Sequence, residues 1–498
     1  MSANISKFPL TGIFLSLSAL TIIFFPVFYS DYVYLDEIHQ LWHNKDGSNL
    51  SMFIVQGRWL LGWLMNKSFS FLQTISDLKI VRICSFLTWA LFLIEYFRLG
   101  RQWQPWIGFN NTLLLTGGIY IACCPSVAVY IGWASCFEVG MASLLGLWSG
   151  HLLFSLIVKH EGNIPIVYWR IVLSVILGVS SLFLYQTAFG AFLLPLVFYL
   201  LGKKSTSSLR IIKTSVIAYL TISVIYYLLF LLSLKLTSFQ ASNRADISFD
   251  ILGKLSFFFS APLAQAFSFN FLYNLHSIPS QLFPVLVMVA WIAYFWRQDK
   301  NKPGKKIITI LFFLGMCMLI YLPLLIAREN FASYRTMFML NLAVTVLLID
   351  TVLSLIPRSV KNHTIAEIAF AIAFLSIGIR NFQSNYINPL TIEYRLLTNY
   401  FNTNYTPGID AIYVLRPDGL LFFEKFGVNA FKDEFGSAST LRDWTPEPLM
   451  KQFILEKTHK RDLAGKMNII QFSDRQTFET EKKNRKPDVL YLDVESLF

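Results

Sequence analysis

The chain has 498 residues, of which 55% are hydrophobic and 14% charged, with a net charge of +12; its mean hydropathy is +0.52. So little charge cannot cover a soluble protein of this length. Apolar runs of about 20 residues recur, each enough to cross a ~30 Å hydrocarbon core. A soluble globular protein is excluded. Nucleic acid is not an expected partner either, because Lys and Arg gather in short loops between the apolar runs, where they set topology. The five cysteines (Cys84, Cys123, Cys124, Cys136, Cys317) lie in or beside apolar runs without metal-ligand spacing to His, and are read as packing residues.

In chain order, Lys7 precedes an apolar run, Phe8 to Phe28. The run is too long for a signal-peptide core and ends without a small-x-small cleavage site, so it reads as an uncleaved first span. The ~20-residue criterion predicts about eleven spans. They are 9–29, 78–97, 108–124, 136–158, 166–183, 186–201, 210–234, 281–296, 307–326, 335–356 and 364–380. With the N-terminus inside, the inner loops carry Arg98 and Arg101, Lys159, Lys203 to Lys213, Arg297 to Lys306, and Arg358 with Lys361. The outer segments are then 30–77, 125–135, 184–185, 235–280, 327–334 and 381–498. The expected fold is an α-helical polytopic membrane protein, with a membrane module over 1–380 and a small C-terminal α/β domain over 381–498.

Within the first outer segment, Asp36 to Asn44 reads as a helix capped by Asp36. Ser51 to Asn66 reads as one amphipathic helix lying in the membrane interface. Leu255 to Leu275, broken by Pro262, reads as interfacial or re-entrant. Short β-like runs stand at 411–415, 468–472 and 489–494. A helix with a cap-like Thr445 start covers Pro446 to Lys457, and 385–406 reads as the connection to this last domain.

The chemistry concentrates after the first span. Asp31, Asp36 and Glu37 place three carboxylates within seven positions. An acid at the bilayer surface can serve as general base toward a sugar hydroxyl, or it can simply cap a helix. His39 and His43 sit one helical turn apart, but Gln40 stands where a zincin pattern needs Glu, and no metal site is predicted. Arg58 follows Gln56-Gly57. Arg328, Glu329 and Arg335 sit at the outer ends of two late spans. Arg suits a phosphate at a membrane surface through paired hydrogen bonds, whereas lipid-headgroup anchoring or surface pairing is the plainer role for Arg328. Arg335 begins a span and needs a partner or water. Glu138, near the outer end of its span, reads first as a structural hydrogen-bonding group. No nucleotide loop or nucleophile elbow is present.

Taken together, LDEIHQLWHN, QGRWLLGWL, LYQTAFGAFL and ENFASYRTMF, in that order, resemble the GtrII-type O-antigen glucosyltransferases of bacterial inner membranes. The resemblance implies a GT-C fold with 30–77 and the C-terminal domain in the periplasm. It implies a polyprenyl-phosphate-linked sugar, usually glucose, as donor, and lipopolysaccharide O-antigen as acceptor, with membrane lipids around the spans and no cofactor firmly implied. Asp36 and Glu37 take the catalytic position. Arg58 and Arg335, with Arg328, match basic positions suited to the donor phosphate. Tyr185-Gln186 matches a recurring dipeptide near the site, and Asp31, His39, Gln56 and Tyr334 are further candidate substrate contacts. Such enzymes commonly carry an Asp pair where this chain has Asp-Glu, which leaves the base open between Asp36 and Glu37. A flippase of lipid-linked sugars and an O-antigen polymerase are the alternatives; the first should show ionisable groups lining a path at mid-membrane, and the second a site in large middle loops.

Overall fold

The computed structural model describes residues 8–44, 50–161, 167–202, 209–242, 244–268, 303–356, 360–428, 434–484 and 486–498, with 286, 289, 290, 292 and 293. Among them six helices are long and apolar enough to cross a membrane: Leu10–Phe28, Ile75–Ile107, Ala134–Val158, Leu209–Thr237, Tyr334–Leu353 and His363–Asn404. The chain is a polytopic helical membrane protein. A seventh span is reached if Asn111–Cys123 and Pro125–Gly132 act as one, bent by 43°. The bend falls where Pro125 removes a backbone donor and crowds the preceding turn.

The remaining expected spans are shorter or fall elsewhere. Those at 166–183 and 186–201 are the apolar helices Tyr168–Leu184 and Gln186–Leu201, the second opening as a 3-10 stretch over Gln186–Leu193. That stretch lies hard against the helix Glu138–Glu161, and at Gly150 a Cβ would overlap the Phe192 carbonyl. The span expected at 307–326 is broken into Pro303–Ile320 and Leu322–Ile326, with Pro323 in the first turn of the second piece. Most of 281–296 lies outside the described residues.

Two expected segments take a different form. The segment 51–66 is not one helix but two, Leu50–Val55 and Trp59–Ser70, because Gly57 takes a left-handed φ of 72° between them. The connection expected over 385–406 is helical. Val360–Ile379 runs through a π turn, Arg380–Ile387, into Asn388–Asn404. The π turn stands where Pro389 has no N–H to contribute. The helix from the membrane therefore enters the C-terminal region without a break.

The C-terminal strands form where the β-branched runs predict them. They are β1 (Ala411–Leu415), β2 (Asn468–Phe472) and β3 (Val489–Asp493). The sheet is parallel with order β2-β1-β3. Four of the five residues of central β1 are buried, as expected of a parallel strand covered on both faces. The helix Pro446–Thr458 also appears, but Thr445 makes no side-chain cap and bonds the Arg442 carbonyl instead.

Residues 30–77 and the C-terminal region share one hydrophobic core. Ile38, Leu41, Trp42, Phe53 and Leu61 pack in a single cluster with Phe401, Val414, Leu449 and Phe453. Polar contacts reinforce it: Glu456 accepts from the Ile75 N–H at 2.8 Å, and Arg461 donates to the Trp42 carbonyl at 3.1 Å. The helix Asp36–His43 is thus held from both sides.

Candidate functional site

Asp36 and Glu37 are neighbours in sequence with opposite environments. Helix Asp36–His43 starts after Leu35, a buried residue held at φ 40°. A positive φ is strained for a β-carbon residue and such strain recurs at functional sites. Asp36 is the first helical residue rather than the cap expected of it, and no side chain caps the helix. Its carboxylate is partly exposed and accepts from the Trp444 indole N–H at 2.9 Å.

Glu37 is turned inward and fully buried. One oxygen accepts from the Ala134 amide, and the other from Arg82 and, at 2.7 Å, from the Tyr34 amide. Arg82 is equally buried; it lies 3.5 Å from the Tyr32 ring centroid and donates to the Tyr32 carbonyl at 3.0 Å. Burial pushes the Glu37 carboxyl up from its ordinary range, while Arg82 and the two amides pull it back. An acid this enclosed has no open face for a substrate. Glu37, taken from the sequence as a candidate base, is a structural partner for Arg82.

The second part of the site is built on Gln56-Gly57-Arg58. The left-handed Gly57 ends one helix and aims Arg58 at the start of the 3-10 stretch. Arg58 Nε donates to Gln186 Oε1 at 2.7 Å, and its guanidinium lies 4.6 Å from the Tyr185 ring centroid. The Gln186 amide donates in turn to the Gln56 carbonyl at 2.8 Å, and the Tyr226 hydroxyl donates to the Gly57 carbonyl at 2.9 Å. A Cβ on Gly57 would collide with that hydroxyl. The dipeptide Tyr185-Gln186 is therefore the seat of Arg58.

Arg335 faces the same space from the start of helix Tyr334–Leu355. Its Nε donates to Glu434 at 2.9 Å, and Glu434 also accepts from the Tyr334 and Arg335 amides at 2.6 and 2.8 Å. Glu434 is fully buried, and its charge is favourable at a helix N-terminus. The Arg335 guanidinium lies 4.5 Å from the centroid of Trp133, one residue from the Ala134 amide that holds Glu37. Asp36 and Tyr185 both lie within electrostatic reach of Arg335. Glu138, opening the next helix, lies within reach of Arg58 and Arg335. It is buried, and its Oε2 has no hydrogen-bond partner among the described residues.

Arg58, Tyr185, Gln186 and Arg335 line one cavity of about 130 Å³, with Leu182, Phe230, Leu322 and Leu324 supplying an apolar wall. Two guanidinium groups, each with one internal partner and an open face, meet apolar surface there. This arrangement can hold an anion attached to an apolar tail.

The other sequence candidates lie at the edge or outside. Arg328 pairs with Asp246 at 3.6 Å, is largely exposed and does not line this cavity. Glu329 pairs with Arg244 at 3.0 Å on the cavity rim. Lys254 braces this segment, donating to the Arg328 carbonyl at 3.1 Å and to the Asn330 side chain at 2.6 Å; burial holds its ammonium below the usual Lys range. Asp31 is tied to Lys79 at 3.0 Å and to the Ser76 hydroxyl at 2.8 Å. With Arg328, Gln56 lines an adjoining surface hollow, which shares Arg244 and Glu329 with the cavity. Tyr334 is buried edge-on against Phe435. The His39 and His43 rings lie 4.4 Å apart, and among the described residues no cluster of metal-ligating side chains forms.

Sequence reasoning missed Glu434, Trp444, Trp133 and Arg82. Arg82 carried a readable signal, since a lone cation inside an apolar span requires a partner. Glu434 carried none, lying in a polar run that reads as surface loop. Comparison of the chain with protein-family models and with curated proteins finds no match.

Proposed function

We propose that this protein is a membrane glycosyltransferase that moves a sugar, glucose by the family resemblance, from a polyprenyl phosphate donor to an O-antigen glycan on the periplasmic face. The observation that carries the reading is the convergence of Arg58 and Arg335, far apart in sequence, on one partly apolar cavity with Asp36 in electrostatic reach. The donor's phosphate is held by the two guanidinium groups, with the prenyl tail along the apolar wall. Asp36 accepts the proton of the acceptor hydroxyl as its oxygen forms the new bond to the anomeric carbon. The carbon–phosphate-oxygen bond breaks from the opposite side, so configuration inverts. The electron pair leaves with polyprenyl phosphate, a stable anion held by Arg58 and Arg335, and no strong general acid is required.

The test is transfer of radiolabelled glucose from undecaprenyl-phosphate-glucose to O-antigen in membranes at matched protein level. Wild type should transfer, and Asp36→Asn should lower the rate by about 10²–10⁴, the range for loss of a general base. Asn still accepts the Trp444 N–H, so the fold is kept. Equal transfer by Asp36→Asn refutes the base assignment, and absence of transfer by wild type refutes the donor and the reaction.

A further inference from the structure

A separate polar cavity lies at the carboxyl edge of the C-terminal sheet. It measures about 390 Å³ and is lined by Arg416, Asp418, Leu441, Ser473, Arg475 and Glu495. Its position follows from topology. Arg416 directly follows β1, Ser473 follows β2, and Glu495 stands two residues past β3. The chain leaves β1 for β2 on one side and returns to β3 on the other. In open parallel sheets the crevice outside the carboxyl ends, where the winding direction reverses, is where ligands bind.

The charges in this crevice balance. Arg416 and Arg475 face Asp418 and Glu495, and Arg475 is already bonded to Glu495 at 2.7 Å and to Asp493 at 2.8 Å. A phosphate gains little there. A neutral ligand with several hydroxyls finds both donors and acceptors. Arg416 lines the crevice, and its side chain makes one hydrogen bond among the described residues, a 3.3 Å bond from Nη1 to the Leu441 carbonyl.

The crevice is also tied to the membrane site. Leu441 is part of its wall, and three residues on, Trp444 donates to Asp36 at 2.9 Å. Three residues span at most ~11 Å. The intervening turn is held by Gln471, which donates to the Asp443 carbonyl at 2.8 Å. Trp444 is 45% exposed, with the Arg442 guanidinium 5.9 Å from its ring centroid, and the exposed part of the indole offers apolar surface that suits the C–H face of a sugar ring.

We propose that the carboxyl edge of this sheet binds a neutral glycan through its hydroxyl groups, and that Trp444 carries the same glycan on to Asp36. That the glycan is the acceptor rests on the transferase reading; the binding itself does not.

The experiment measures binding to the purified full chain in detergent, without donor, by saturation-transfer NMR. The probes are linear neutral tetrasaccharides of glucose, mannose and rhamnose, with inorganic phosphate as competitor. At least one tetrasaccharide should bind the wild type. Arg416→Ala should raise its Kd about tenfold or more, the size of a lost hydrogen bond to a charged group. Ser473→Trp, which fills the crevice from its exposed wall, should do the same, and phosphate should not compete. The single long bond of Arg416 and the exposure of Ser473 make both substitutions compatible with folding, checked by unchanged thermal unfolding. No tetrasaccharide binding, binding indifferent to both substitutions, or displacement by phosphate overturns the proposal. A wild type that binds glycan yet transfers nothing refutes the transferase reading alone.

Discussion

Arg82 and the pair Arg58–Arg335 are all guanidinium groups drawn toward the interior, yet they are treated in opposite ways. Arg82 is sealed, with Glu37 opposite, the Tyr32 ring beneath and no exposed surface on either member of the pair. Arg58 and Arg335 each have one side-chain hydrogen-bond partner, Gln186 and Glu434, and each presents its remaining surface to a shared cavity. A buried charge without a partner is costly. A pair matched in charge and shut off from solvent is therefore architecture, even though Arg82 Nε and Nη1 find no hydrogen-bond partner among the described residues, whereas a guanidinium group lining a cavity retains hydrogen-bonding capacity that a ligand can reach. The same contrast separates Glu37 from Asp36, one residue apart.

The sharpest way to break this comparison is Glu37→Gln. It leaves Arg82 buried without its counter-charge and should cost about 3–5 kcal/mol, read as a large fall in thermal unfolding temperature in detergent. Replacing both residues by Met should recover much of that loss, since buried pairs are often no more stable than apolar replacements of similar volume. A Glu37→Gln protein as stable as wild type refutes the architectural role.

Next in size, Arg58→Lys should leave stability nearly unchanged but weaken the cavity's hold on the donor. Lys loses the Nε bond to Gln186 and the planar stacking on Tyr185. The donor KM should rise about tenfold or more, as expected for one lost charge-assisted hydrogen bond, with folded yield intact. A fall in folded yield like that of Glu37→Gln would erase the distinction between the two regions.

Gly57→Ala acts on the seat of Arg58 instead of on its charge. The left-handed backbone alone costs about 1–2 kcal/mol with a Cβ present, and the Tyr226 hydroxyl must also move. The expected outcome is a modest loss of stability with a rise in donor KM in the direction of Arg58→Lys. An unchanged KM would mean that the turn does not position Arg58.

The smallest effect is expected outside both regions, at Asp474. Its carboxylate caps helix Arg475–Lys483 by accepting the Thr477 N–H and hydroxyl, which holds its pKa below the ordinary Asp value. Because the folded pKa is the lower one, its contribution is complete above the unfolded value and lost as pH falls through the folded value. The protection of that helix's amides, relative to their intrinsic exchange rate, should fall on acidification below about pH 4, and Asp474→Ala should remove this dependence.

Much of the fold was legible because membrane spans and parallel strands announce themselves locally. The six long apolar helices follow from run length, and β1 to β3 from short runs such as AIYVL and VLYLD. The break at Gly57 was legible in part, since glycine between helical stretches is a stop signal, but the amphipathic pattern runs through it. The unbroken helix from Val360 to Asn404 was hidden by a change to polar composition at Arg380 that resembles a linker.

By itself the sequence determined that this is a polytopic membrane protein with a small α/β unit after its last spans, and it marked Asp36, Glu37, Arg58, Tyr185, Gln186 and Arg335 as the chemistry-bearing residues. Those properties depend on composition and on periodicity over a few residues. Only the tertiary structure decided that Glu37 belongs to Arg82 and Asp36 to Trp444, and that Arg58 and Arg335 share one cavity. It alone brought Glu434 to the head of the Arg335 helix. Each such partner lies between about 45 and 410 positions away in the chain. The energy of a charge depends on what surrounds it in space, which no local pattern of residues encodes.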